Sequence, residues 1–233
     1  MQVVAPVGRS SRSMELWVIA GGCALTFLSA TANAGFLIKL GTSVSHLTGD
    51  VTRVAVELTQ GSHHVTQMAN HLLLAMSGFL LGAMSAGFAI HHPSLEISRP
   101  YGRAVMAIGA CLLLAHFTLK DYPLVAIALA SFGCGFQNAL ATHYRGMILR
   151  TTHITGLLTD LGTNLGMRIH GHVIAPWKML VPLLLVGSFF LGSGAGAILV
   201  IQGDWPFLAI TASLYMIVGA GWTVYKHWWR QTT

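Results

Sequence analysis

Apolar residues in this chain come in long runs separated by short polar stretches, with neither the two-residue alternation of a half-buried strand nor the single apolar stripe of a surface helix. Six charge-free runs lie near residues 16–38, 69–90, 104–119, 123–142, 179–200 and 206–225. A helix needs about 20 mostly apolar residues to cross the hydrocarbon core, so the pattern predicts six transmembrane helices. The third run, between Arg103 and Lys120, is the shortest and spans by thinning the bilayer or snorkelling its flanks.

The aromatic residues support these boundaries. Trp17, Tyr101, Tyr122, Trp177 and Trp205 fall at or just before span starts, and Tyr144, Trp222, Tyr225, Trp228 and Trp229 at or beyond ends. That is the headgroup level, where an amphipathic ring has one wet and one dry end. Tyr215 alone falls mid-span.

Composition excludes the soluble classes. Of 233 residues, 54% are hydrophobic and 9% charged, against roughly 25% charged in a soluble domain, and the mean hydropathy is +0.65. The net charge of +6 could suggest nucleic acid, but the basic residues are scattered by topology. With the N-terminus in the cytoplasm, Arg9, Arg12, Arg99, Arg103, Arg145, Arg150, Arg168, Lys178, Lys226 and Arg230 lie inside, and Lys39, Arg53 and Lys120 outside. The positive-inside rule therefore favours cytoplasmic termini, and no basic cluster is dense enough for nucleic acid.

A rival reading of the first run is a signal peptide, with Arg9 and Arg12, an apolar stretch from Leu16 to Leu28, and Ala32-Asn33-Ala34-Gly35 as the cleavage site. An internal repeat argues against it. Ser45-His46-Leu47-Thr48-Gly49 recurs 107 residues later as Thr152-His153-Ile154-Thr155-Gly156, and Phe79-Leu80-Leu81-Gly82 recurs 110 residues later as Phe189-Phe190-Leu191-Gly192. The first run is needed as the first helix of its repeat. Three spans per repeat is an odd number, so the second repeat enters the membrane from the opposite side, an arrangement common in transporters.

The expected organisation is an all-α integral membrane protein with six spans as a 3+3 inverted repeat and two short broken or re-entrant motif helices. Residues 1–15 form a cytoplasmic tail, 16–119 the first repeat, 120–225 the second and 226–233 a cytoplasmic tail. The glycine pairs Gly78/Gly82 and Gly192/Gly196 suit close helix packing, either internally or in a homo-oligomer.

The motif segments carry the candidate chemistry. Ser45 or Thr48, and Thr152 or Thr155, are expected to cap the motif helices. Helix starts pointing inward offer free amides and a partial positive charge. Two such starts would form a midplane solute site from His46, Thr48, Gly49 and Thr52 with His153, Thr155, Gly156 and Thr159. Asn33, Gln137 and Asn138 sit in corresponding parts of the two repeats, as packing contacts or as cavity lining. Arg53 and Asp160 occupy equivalent positions with opposite charge and could pair across the axis, although Asp50 and Glu57 could satisfy Arg53 locally. His63-His64 and His170/His172 lack the convergent ligands of a metal site and suit the interfaces. Cys23, Cys111 and Cys134 read as small buried residues.

The His46-x-Thr48-Gly49-Asp50 segment, Gly135-Phe136-Gln137-Asn138-Ala139 and Arg150-Thr151-Thr152-His153-Ile154-Thr155-Gly156 resemble the YoaK-like family of bacterial inner-membrane proteins of unknown function. In that family an Asp usually stands at the place of Asn33, and Thr-Gly-Asn at the place of Thr48-Gly49-Asp50. The resemblance implies the fold class and no substrate. The sequence thus leads to a transporter or channel for a small solute, anions included, with a non-transporting scaffold or accessory subunit as the alternative. No nucleophile–base set, metal constellation or phosphate loop suggests an enzyme, and no cofactor is expected.

Overall fold

A computed structural model describes residues 9–90, 101–140 and 151–232, and these are helical apart from short connections. Eight helices follow in order: α1 (Arg9–Leu40), α2 (Leu47–Thr59), α3 (Val65–Ile90), α4 (Tyr101–Thr118), α5 (Pro123–Leu140), α6 (Ile154–Ile169), α7 (Trp177–Ile201) and α8 (Phe207–Thr232). Six are long and apolar enough to cross a membrane; α2 and α6 are the two short motif helices. Helix α1 begins inside the segment expected to be a tail, and α8 runs on through the other. Backbone hydrogen bonding does not stop where lipid stops, so apolar runs locate a span better than they locate a helix end. Ala141, Thr142, Tyr144, Arg145, Arg150 and Arg99 lie outside the described residues, as do the side chains of Arg9, Arg12, Trp229 and Arg230.

Helix directions follow from which residues meet. Gly192 faces Phe27 and Gly196 faces Thr31, so α1 and α7 are parallel; Gly78 faces Ala128 and Gly82 faces Phe132, so α3 and α5 are parallel. Gly102 lies against Gly219 and Gly109 against Ala212, which makes α4 and α8 antiparallel. Trp17 packs on Tyr225 and Phe36 on Phe207, so α1 and α8 are antiparallel and hold both termini at one end of the bundle. Together with the α4–α5 hairpin, these registers alternate the six long helices up and down. The second repeat is therefore inverted.

The packing obeys the repeat. Helix α3 packs on α5 as α7 packs on α1, α2 on α3 as α6 on α7, α4 on α5 as α8 on α1, and α4 meets α8 across the axis. At equivalent places a Cβ on Gly82 would overlap the Phe132 carbonyl, and one on Gly192 the Phe27 carbonyl. Cβ atoms on Gly78 and Gly196 would overlap the Ala128 and Thr31 carbonyls. These glycine faces are filled within one chain. Of the two roles open to these glycine pairs, internal packing is the one the structure shows.

Candidate functional site

The two motifs are tethered by the same residue of each repeat. Asn33 and Asn138 are equivalent, as are Phe27 and Phe132 at the glycine contacts. Asn33 Oδ1 accepts from Ser43 Oγ at 2.6 Å, from the backbone amides of Val44 and Ser45, and from Ser45 Oγ at 3.1 Å. Asn138 Nδ2 donates to Thr152 Oγ1 at 2.8 Å and to the Cys134 carbonyl, and its Oδ1 accepts the Thr152 amide. Each asparagine thus binds the hydroxyl residue that immediately precedes a motif histidine.

The tether brings the start of α2 back toward the middle of the bundle. Helix α1 ends at Leu40, and the chain reverses at Gly41, whose φ of +68° suits glycine. It then runs back beside α1 to Asn33, about 10 Å below the helix end at 1.5 Å per residue. The His46 ring meets Phe189 edge-on, centroids 4.8 Å apart, and Phe189 lies in the middle of α7. Helix α2 climbs from there to Thr59. Helix α6 starts from Thr151 and Thr152, bound to Gln137 and Asn138, and its first turn packs through Ile154 and Leu157 on Val181 and Leu185 of α7.

The two helix starts approach one another. His153 and Asp50 both lie near enough to His46 to act on its charge. His46 Nε2 is buried without a hydrogen-bond partner. The caps are His46 and His153 themselves, with no side-chain cap bond, which corrects the expected serine or threonine caps. Ser45 and Thr152 are engaged by the asparagines instead, so their oxygens serve the tether, and the first amides of both helices lack a side-chain acceptor.

The other candidates distribute as follows. Thr48, Gly49, Thr155 and Thr159 are exposed, and Gly156 packs beside the His153 ring. Thr52 and Thr159 donate back to the Thr48 and Thr155 carbonyls of their own helices. Arg53 and Asp160 do not pair: Arg53 Nη1 donates to the Gly41 carbonyl at 3.1 Å, and the ion pair among the described residues joins Lys39 to Asp204. Asp50 accepts from Thr42 Oγ1 and the Ser43 amide, which leaves Arg53 bound to the backbone of the turn that Asp50 also pins. A polar cleft of about 210 Å³ beside this turn is lined by Asp50, Arg53, Glu57, His64 and His71. His63, His170 and His172 are exposed, and among the described residues no three metal-ligating side chains converge.

Gln137 is the hub of a buried network. Its Nε2 donates to Thr151 Oγ1 at 2.8 Å and to the Leu25 carbonyl, and its Oε1 accepts from Tyr215 Oη. Tyr215 was not among the expected site residues. Its signal was present, because a tyrosine away from the interface needs a partner for its hydroxyl.

The family described as protein of unknown function (DUF1275) matches residues 21–221. The chain belongs to that family. It is also 28% identical over 224 residues to a UPF0700 transmembrane protein of Rhizobium meliloti (strain 1021), covering 95% of this chain and 92% of that relative. No solved structure matches. Membership covers both asparagine tethers, both motifs and the Gln137 network, in agreement with the resemblance carried by the motif residues. The chain is a multi-pass membrane protein of a family whose function is not established.

Proposed function

We propose that this protein transports a small solute through a midplane site between the two motif helices. The observation that carries the reading is the convergence of His46 and His153, two helix starts without side-chain caps held at equivalent asparagines of an inverted repeat. Free first-turn amides favour an anion or the acceptor oxygen of a neutral solute. Irregular backbone at this depth is stable where it lines a cavity or is buried in protein, and inverted repeats rock about such a site. The reading assigns no catalysis. The basic residues further support an inner-membrane protein with both termini in the cytoplasm.

The alternative is a non-transporting scaffold, favoured by the Thr52 and Thr159 hydroxyls bonding to their own helices. Osmotic swelling of proteoliposomes in a panel of small anions and small neutral solutes separates the two. Transport predicts permeation of at least one solute, reduced tenfold or more by Thr48→Val or Thr155→Val. Permeation equal to that of empty liposomes, or unaffected by either substitution, supports the scaffold.

A further inference from the structure

A second recess lies between α1, α4, α5, α7 and α8, toward the end of the bundle that holds the termini. Its volume is about 120 Å³, and among the described residues no charged side chain lines it. Trp17, Tyr101 and Trp222 stand toward its mouth, Leu25 and Leu185 on its walls, and Gln137 with Thr151 at its deep end.

The repeat shows that this space is not slack common to both halves. Helices α4 and α8 begin at equivalent aromatics, Tyr101 and Phe207. Leu140, two residues beyond Asn138, is the equivalent of Gly35, two residues beyond Asn33. At the far end of the bundle the Phe207 ring occupies the place where a Cβ on Gly35 would sit, meets Phe36 edge-on at 6.1 Å, and is 3% exposed. At the near end Leu140 has a side chain where Gly35 has none, so Tyr101 cannot seat in the same way, and both residues line the recess. Among the described residues, one end of the bundle is plugged and its twin holds a recess. Small residues keep it open: a Cβ on Gly21 meets nothing within 4 Å, and one on Gly22 meets only Leu185 Cδ2, at 3.7 Å.

Its polar groups are donors. Thr151 Oγ1 already accepts from Gln137, which leaves the threonine hydroxyl hydrogen available to donate. Trp222, about 10 Å nearer the mouth than Tyr215 at 1.5 Å per residue, has its indole N–H buried without a partner. A charge in such a site would lose its hydration with no counter-charge among the described residues to replace it. A molecule with one acceptor oxygen and an apolar body would lose little and bury its body well.

We infer that this recess binds a small neutral, largely apolar molecule by its body, with an acceptor oxygen directed to Thr151. The volume approaches the roughly 150 Å³ of an apolar cavity that holds benzene, so the occupant is a single ring or a short branched chain. The assignment rests on the proposed transport function and deepens it by naming the class of solute, since Thr151, which lines the recess, stands three residues before α6 begins. Binding at equilibrium requires no transport, so it can fail while solute permeation stands, or stand while permeation fails.

The test is equilibrium dialysis of the full chain in nanodiscs against phenol, toluene and benzoate, with empty nanodiscs subtracted. Phenol is expected to bind, with toluene and benzoate at least tenfold weaker. Gly22→Leu, whose Cβ meets only Leu185 Cδ2 at ordinary contact distance, is expected to abolish phenol binding with its fold intact by circular dichroism. Thr151→Val should weaken binding about tenfold, and Gly194→Leu, on a surface away from the recess, should leave it unchanged. No phenol retained above empty nanodiscs, benzoate or toluene bound as tightly as phenol, or binding insensitive to Gly22→Leu each overturns the assignment.

Discussion

Asn33 and Asn138, the same residue of two inverted repeats, hold the two motifs through different parts of the amide. Asn33 uses only its oxygen, taking four hydrogen bonds from Ser43, Val44 and Ser45. Asn138 uses both ends: its nitrogen donates to Thr152 and Cys134, and its oxygen accepts the Thr152 amide.

The same substitution should therefore have different effects in the two halves. Asn33→Asp keeps every acceptor, and backbone amides stabilise a carboxylate well; thermal unfolding in detergent should stay within about 1 kcal/mol of wild type. Asn138→Asp loses both donors and faces the Cys134 carbonyl with an acceptor, and should cost roughly 1–3 kcal/mol. Asn33→Leu strands several buried donors and should cost more, roughly 2–4 kcal/mol. Equal effects of the two Asp substitutions would contradict the tether geometry.

Tyr215→Phe removes the hydroxyl that binds Gln137 Oε1 and should destabilise by about 1–2 kcal/mol. Gln137→Leu should cost more, because it removes the bonds to Tyr215, Thr151 and the Leu25 carbonyl together. The double variant should fall short of the summed effects, as coupled partners do. A double-mutant cycle on thermal unfolding checks this.

Gly82→Val and Gly192→Val should each lower stability by at least about 1–3 kcal/mol through overpacking against a backbone carbonyl. Their sedimentation behaviour should match that of wild type until they unfold. Gly87→Val, which meets nothing within 4 Å, should have little effect. A change of oligomeric state without loss of stability would mean that the glycine faces join separate chains.

The six spans, the inversion and the paired motifs are legible in the chain because each depends on local composition or on self-similarity. Length and apolarity make a span, and an odd number of spans per repeat inverts the second. Asn33, Gln137 and Asn138 also stand out, since an amide in lipid needs a partner. Who that partner is does not follow from spacing. The tether draws Ser45 and Thr152 away from the helix caps that their hydroxyls suggest, and Arg53 bonds to the Gly41 carbonyl rather than to Asp160. The difference between the two ends of the bundle is also invisible in a one-dimensional repeat. It depends on whether an aromatic ring arriving from a distant helix meets Gly35 or Leu140. The sequence by itself determined where the chain crosses lipid and that its halves are inverted copies. Only the tertiary structure decided which polar groups meet and which end of the bundle is open, because those depend on side chains far apart in the chain competing for the same space.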